Sequence, residues 1–135
     1  MKKSVHDWLR KADADAATAR REIRARKTPN FDAACFHAQQ CIEKCLKALL
    51  DSSNFPLRKV HDLVVLMMDA VDRHPTLELM RDDLELLSQY ATSFRYPGAD
   101  ATREQATLAV RAMARCHEQI LERLLRRKKN KAMAK

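Results

Sequence analysis

The run Phe94-Arg95-Tyr96-Pro97-Gly98 holds the only glycine of the chain and makes the strongest break in its second half. It sets an arginine and a tyrosine just ahead of a helical stretch that begins near Thr102. A helix start exposes backbone N–H groups without intrahelical acceptors, and these attract anions. A guanidinium reaching the same space adds a planar, permanently charged donor set suited to phosphate. Arg95 is therefore the leading candidate for a phosphate contact. Tyr96 is placed to stack on a base or to donate its hydroxyl. Asp100 opposes an anion unless it caps the helix or pairs with Arg95. The plain alternative is a turn whose arginine closes onto a carboxylate of the preceding helix.

A second constellation lies in the first half. Gln40, Lys44 and Lys47, with Glu43 adjacent, follow His37 at three- and four-residue steps, which a helix gathers onto roughly one side. They are candidate ligand-binding residues. The alternative is a solvated face closed by a Glu43–Lys47 pair in the favourable order. His61, beside Asp62, is a weaker catalytic candidate, because such a histidine is more often a cap or packing residue. His6, His74 and His117 are less distinctive, and no Ser/His/Asp grouping or paired-carboxylate motif stands out.

The four cysteines, Cys35, Cys41, Cys45 and Cys116, include no Cys-x-x-Cys pair. Cys41 and Cys45 share a helical face, and Cys116 abuts His117. Structural zinc sites usually use tighter loop spacings. The alternative is a Cys/His metal site; the expected role is packing of a bundle core as reduced thiols, with no metal and no cofactor.

The elements that carry these residues read as helices. At 135 residues and 46% hydrophobic content the chain suits one domain with a sizeable core. One glycine and four prolines leave little material for hairpins. Neither Gly-x-Gly-x-x-Gly nor Gly-x-x-x-x-Gly-Lys occurs, which sets aside Rossmann and P-loop enzymes. The net charge is +8, yet six cations and no acid lie in residues 126–135, so the rest carries only +2. A second basic cluster, Arg20, Arg21, Arg24, Arg26 and Lys27, falls near a helix end, where cations suit the macrodipole. Nucleic-acid contact and a plain soluble surface both fit these clusters. No apolar leader or membrane-spanning run is seen, so a cytoplasmic protein is expected.

Apolar residues at three- and four-residue steps predict a first helix from about Ser4 to Lys27, with Ser4 and Asp7 as a capping box. A second runs from about Phe31 to Asp51, and a third starts near His61-Asp62 and ends at His74-Pro75. A fourth begins at Thr76, as N-cap, and carries Leu77, Met80, Leu84, Leu87 and Tyr90. A fifth extends from about Thr102 to Arg127, where Thr102 and Gln105 have the capping-box spacing. No strand pattern, repeat or second domain is visible. The reading is an all-α antiparallel helical bundle.

Trp8-Leu9-Arg10-Lys11-Ala12, Phe36-His37-Ala38-Gln39-Gln40 with Glu43-Lys44 and Lys47-Ala48-Leu49-Leu50, His61-Asp62-Leu63 and Phe94-Arg95-Tyr96-Pro97 follow in an order that resembles the HEPN domain (higher eukaryotes and prokaryotes nucleotide-binding), from about Trp8 to Leu125. The resemblance implies an up-and-down four-helix bundle with an additional short helix, often a homodimer. A single HEPN-like domain is expected at 1–127, and the run of cations beyond it reads as a basic, disordered tail at 128–135. The resemblance also implies nucleotide or RNA binding beside a minimal nucleotidyltransferase, as in toxin–antitoxin pairs. Active toxin members are metal-independent ribonucleases that use an arginine, then four to six intervening residues, then a histidine. Here those positions hold Asp100, Ala101 and Thr102. Without an imidazole there, the usual proton-transfer partner is missing. Arg95 therefore carries over as a phosphate contact only. A variant endoribonuclease using another histidine, or a purely structural interaction bundle, are the alternatives.

Overall fold

The computed structural model describes residues 1–94 and 96–134, with the backbone alone for Arg127, Lys131 and Ala134. Arg95 and Lys135 fall outside the described residues.

Helix α1 spans Lys3–Arg24. The expected Ser4 cap is not used. The N-cap is Lys2, with no side-chain cap, and its ammonium instead reaches Asp51 Oδ1 (2.9 Å) and Asn54 Oδ1 (2.7 Å). The helix stops short of Lys27 because residues 25–30 must reverse the chain, and Thr28 takes a positive φ of 46° directly before Pro29. Helix α2, Phe31–Ser52, starts at Asn30, whose Oδ1 accepts from Ala33 N–H at 2.9 Å. It is buried on several sides because α1 and the later helices all pack on it.

Helix α3, Leu63–Ala70, is capped by Asp62, whose Oδ1 accepts from Val64 and Val65 N–H at 2.9 and 3.3 Å. The single fourth helix expected from Thr76 is divided into a 3-10 turn (Pro75–Met80), helix α4 (Arg81–Ser88) and a second 3-10 turn (Gln89–Ala91). Thr76 does not cap it. Its hydroxyl accepts from the Arg123 guanidinium instead. The predicted apolar stripe still holds, since Leu77, Met80, Leu84, Leu87 and Tyr90 are all buried.

Helix α5, Arg103–Ala134, begins with the predicted capping box. Thr102 N–H donates to Gln105 Oε1 (2.9 Å), and Gln105 N–H donates to Thr102 Oγ1 (3.0 Å). The helical backbone extends to Ala134.

The contacts fix the directions. Lys2 meets Asp51 while Asp15 meets His37, so α1 and α2 are antiparallel. Ala101 N–H donates to Asp32 Oδ1 (2.7 Å) at the start of α2, so α5 runs parallel to α2. Asp83 takes two hydrogen bonds from Arg115, at 2.9 and 2.8 Å, on the α4–α5 contact. Helices α1, α2, α4 and α5 thus alternate up and down, and α3 is the additional short helix. Among the described residues there is no strand, and no helix is long and apolar enough to cross a membrane.

Small residues form much of the core between the long helices. Ala12, Ala16 and Ala19 of α1 and Ala34, Ala38 and Ala48 of α2 are buried, as are Ala106, Ala109 and Ala112 of α5. Small side chains let helix axes approach closely. The bulky buried residues include Ile42 and Leu46 of α2, Leu66 and Met67 of α3, Leu84 and Leu87 of α4, and Met113 and Ile120 of α5.

Candidate functional site

Two carboxylates organise the polar side of α2. Asp15 of α1 is only 7% exposed and interrupts the alanine stripe of that helix. Its Oδ1 lies 2.8 Å from His37 Nδ1, and its Oδ2 accepts from Lys44 Nζ. Glu43, 4% exposed, is the second centre. Its Oε1 accepts from Gln39 Nε2 (3.2 Å) and lies 2.9 Å from His61 Nδ1, while Oε2 accepts from Lys47 Nζ (3.3 Å). The Lys47 ammonium also sits 5.7 Å from the centre of the Trp8 ring. Buried charges are tolerated when they are paired and hydrogen-bonded, as both centres are.

This placement sorts the residues singled out from sequence. Gln40, Lys44 and Lys47 do share one side of α2, as expected. That side is not a solvated row, because α1 covers part of it. Gln40 donates to Gln39 Oε1 (2.7 Å), Lys44 is tied to Asp15, and Lys47 is buried against Glu43 and Trp8. His61 precedes the α3 cap with its ring largely exposed. Tyr96 stands exposed in the turn before α5. Arg95 lies outside the described residues, between Phe94 and Tyr96 in the chain.

A cleft of about 340 Å³ lies at the end of the molecule where α2 begins, lined by Asn30, Asp32, Ala33, Phe36, His37, Tyr90 and Phe94. Tyr90 and Phe94 stack with ring centres 5.7 Å apart and an interplanar angle of 22°. Phe36 meets His37 edge-on at 5.4 Å. Burial, with the nearby Cys35 thiol, pushes the Tyr90 phenol above its usual range. The phenol therefore stays a neutral donor. Burial, aided by the Asp32 carboxylate, pushes the Cys35 thiol up to about 12, so it is no nucleophile near neutrality.

The structure brings His37 to this cleft and holds it by a carboxylate from α1. His61 does not line it. Phe94, the residue before Arg95, does. Aromatic faces beside polar groups suit a stacked base. A larger surface hollow, about 630 Å³, borders only one helix flank, at Ala17, Arg20, Arg21, Glu22, Arg24 and Ala25. With a single wall it cannot enclose a ligand, whatever its charge.

Sequence reasoning missed Asp15, Tyr90 and Phe94 as site residues. Asp15 left a trace, since it is a carboxylate inside the Ala12–Ala16–Ala19 stripe. The aromatic lining left none, because Tyr90 reads equally well as core.

Comparison with known proteins agrees with this architecture. The HEPN domain family profile matches residues 5–126. No curated protein matches the chain. The crystal structure of TT1696 from Thermus thermophilus superposes with a TM-score of 0.77 at 21% identity, covering 90% of this chain and 98% of that one. The crystal structure of ST0689, an archaeal HEPN homologue, gives 0.70 at 23% identity, covering 91% and 98%. At such identities these two speak for the fold. With the profile spanning nearly the whole helical bundle, the chain belongs to the HEPN domain family.

Proposed function

We propose that this protein is a nucleotide- or RNA-phosphate-binding HEPN module that works in the cytoplasm as a homodimer with a partner protein, a minimal nucleotidyltransferase of a toxin–antitoxin-type pair. The observation that supports it most is the aromatic cleft bounded by Phe94, one residue before Arg95. In this reading the base packs on the part-exposed rings of Phe36 and Phe94, with Tyr90 buried behind Phe94, and Arg95 holds the phosphate. Tyr96 adds a ring or hydroxyl from the turn. Gln40 and Lys44 extend the polar surface beyond His37, while Lys47 sets the position of Glu43 from within.

A second reading is supported by one contact. His37 lines the cleft with Nδ1 2.8 Å from Asp15 Oδ1. A carboxylate-oriented imidazole is the usual form of a proton-transfer group. His37 then stands in for the histidine missing after Arg95, and the module is a metal-independent endoribonuclease.

One set of measurements separates the two. Calorimetry with ATP and a short RNA should show binding to the wild-type chain. In Arg95→Ala it should fall by at least roughly tenfold, the scale of a lost charge-assisted contact, with far-UV circular dichroism unchanged. Equal affinity in the variant removes Arg95 from the site. RNA cleavage that survives chelator and is lost in both Arg95→Ala and His37→Ala selects the enzyme. Binding without cleavage selects the module.

A further inference from the structure

We propose that Cys41, Cys45 and His117 form a binding site for a thiophilic divalent cation of the zinc(II) class. The sequence alone favours plain packing for these thiols. The fold adds the third ligand, because α5 carries His117 to the inward face of α2, where Cys41 and Cys45 stand four residues apart. The potential ligand atoms of all three lie within 4.8 Å of one another. A tetrahedral zinc site with sulfur and nitrogen ligands has edges of roughly 3.5–3.8 Å. Closing the cluster therefore needs a shift of about 1 Å, within reach of side-chain rotation.

Three features separate this cluster from ordinary core filling. Both thiols are fully buried and free of disulfides, so they are held in place and available. The His117 ring is oriented from outside, with Nε2 3.2 Å from Asp13 Oδ1 of α1. A carboxylate on an imidazole is the recurrent support of a metal-bound histidine. Access also exists, since the His117 side chain is 18% exposed and that of Asp13 67%. Water fills the fourth position, and Asp13 keeps its hold on His117.

The charges balance. Two thiolates and a neutral imidazole cancel a divalent ion, so the loaded site is neutral in an apolar interior, where an uncompensated charge is costly. Each thiol releases its proton to solvent as its sulfur–metal bond forms, two protons per ion. Cys35 and Cys116 are buried too but stand outside the group.

The test uses the full chain, reduced and stripped of metal. It is titrated with cobalt(II), then with zinc(II) in competition with a chromophoric chelator. One equivalent of cobalt giving sulfur-to-metal charge-transfer absorption, displaced by zinc, is the expected result. Cys41→Ala and Cys45→Ala should each weaken zinc binding by roughly 100-fold or more, and Asp13→Asn by about tenfold. Cys35→Ala, a buried thiol outside the cluster, should leave affinity unchanged. Substoichiometric binding, a cobalt spectrum without the thiolate band, or equal affinity in Cys41→Ala overturns the proposal. If the cysteine variants lose their helical circular dichroism, His117→Ala decides, since it alters a partly exposed side chain. Unchanged affinity there also overturns the site.

Discussion

Glu43 shows how much a single side chain settles here. It is an acid in the middle of a packed helix, yet Gln39, Lys47 and His61 all converge on it. Removing one partner of a buried ion pair leaves the other charge stranded, which is worse than never burying either. Glu43→Ala should therefore cost about 3 kcal/mol, read as a lower urea midpoint with the slope of the transition unchanged. A loss below about 0.5 kcal/mol would mean that Lys47 finds water when its partner goes. The Glu43–Lys47 pair was legible from sequence because both ends are on one helix, four residues apart. The Asp15–Lys44 pair was not, because periodicity within α2 says nothing about which acid α1 will bring against it. The cleft was half legible for the same reason. His37 and Phe36 were visible on their helix, but the partner Asp15 arrives from α1, and Tyr90 and Phe94 arrive from the segment after α4.

At the scale of elements, caps decided where the reading held. Thr102 and Gln105 close a reciprocal box in which each side chain serves the other's backbone N–H. Thr102→Ala should cost about 1 kcal/mol of stability, the usual worth of an N-cap hydroxyl. A drop of a few degrees in melting temperature is the measurement. Ser4 and Asp7 have the same spacing and do not form a box. Lys2 is drawn away to Asp51 and Asn54, so the start of α1 is set by the end of α2. Thr76 fails for a parallel reason, since its hydroxyl is taken by Arg123. Long apolar stripes survive such competition because each sums many contacts. Local capping signals rest on one or two hydrogen bonds, and a distant side chain can override them.

For the whole molecule, the end of the bundle where α1 starts and α2 finishes is held by the contact between Lys2 and Asp51. Burial alone would raise the Asp51 carboxyl. The neighbouring Ser4 hydroxyl and Lys2 ammonium outweigh it and hold the group below its usual value. A carboxyl depressed in the folded chain contributes stability fully above its unfolded pKa of about 3.9. That contribution is lost as pH falls through the lower folded value. Lys2 is 43% exposed, so solvent screening limits the gain to under about 1 kcal/mol. Asp51→Asn should destabilise the bundle slightly at neutral pH and not at all near pH 2, as urea midpoints at the two pH values would show. An equal loss at both would assign the effect to packing alone.

The corner at residues 61–63 has a consequence for how the bundle opens. The His61 carbonyl accepts from Gln39, and Leu63 N–H donates to Ser88 Oγ at 3.0 Å. An eight-residue helix on its own would fray within microseconds. Pinned to α2 and α4 alike, α3 cannot peel away first. Its amides should take up deuterium as slowly as those at the centre of α2, so the shortest α-helices share the lifetime of the longest.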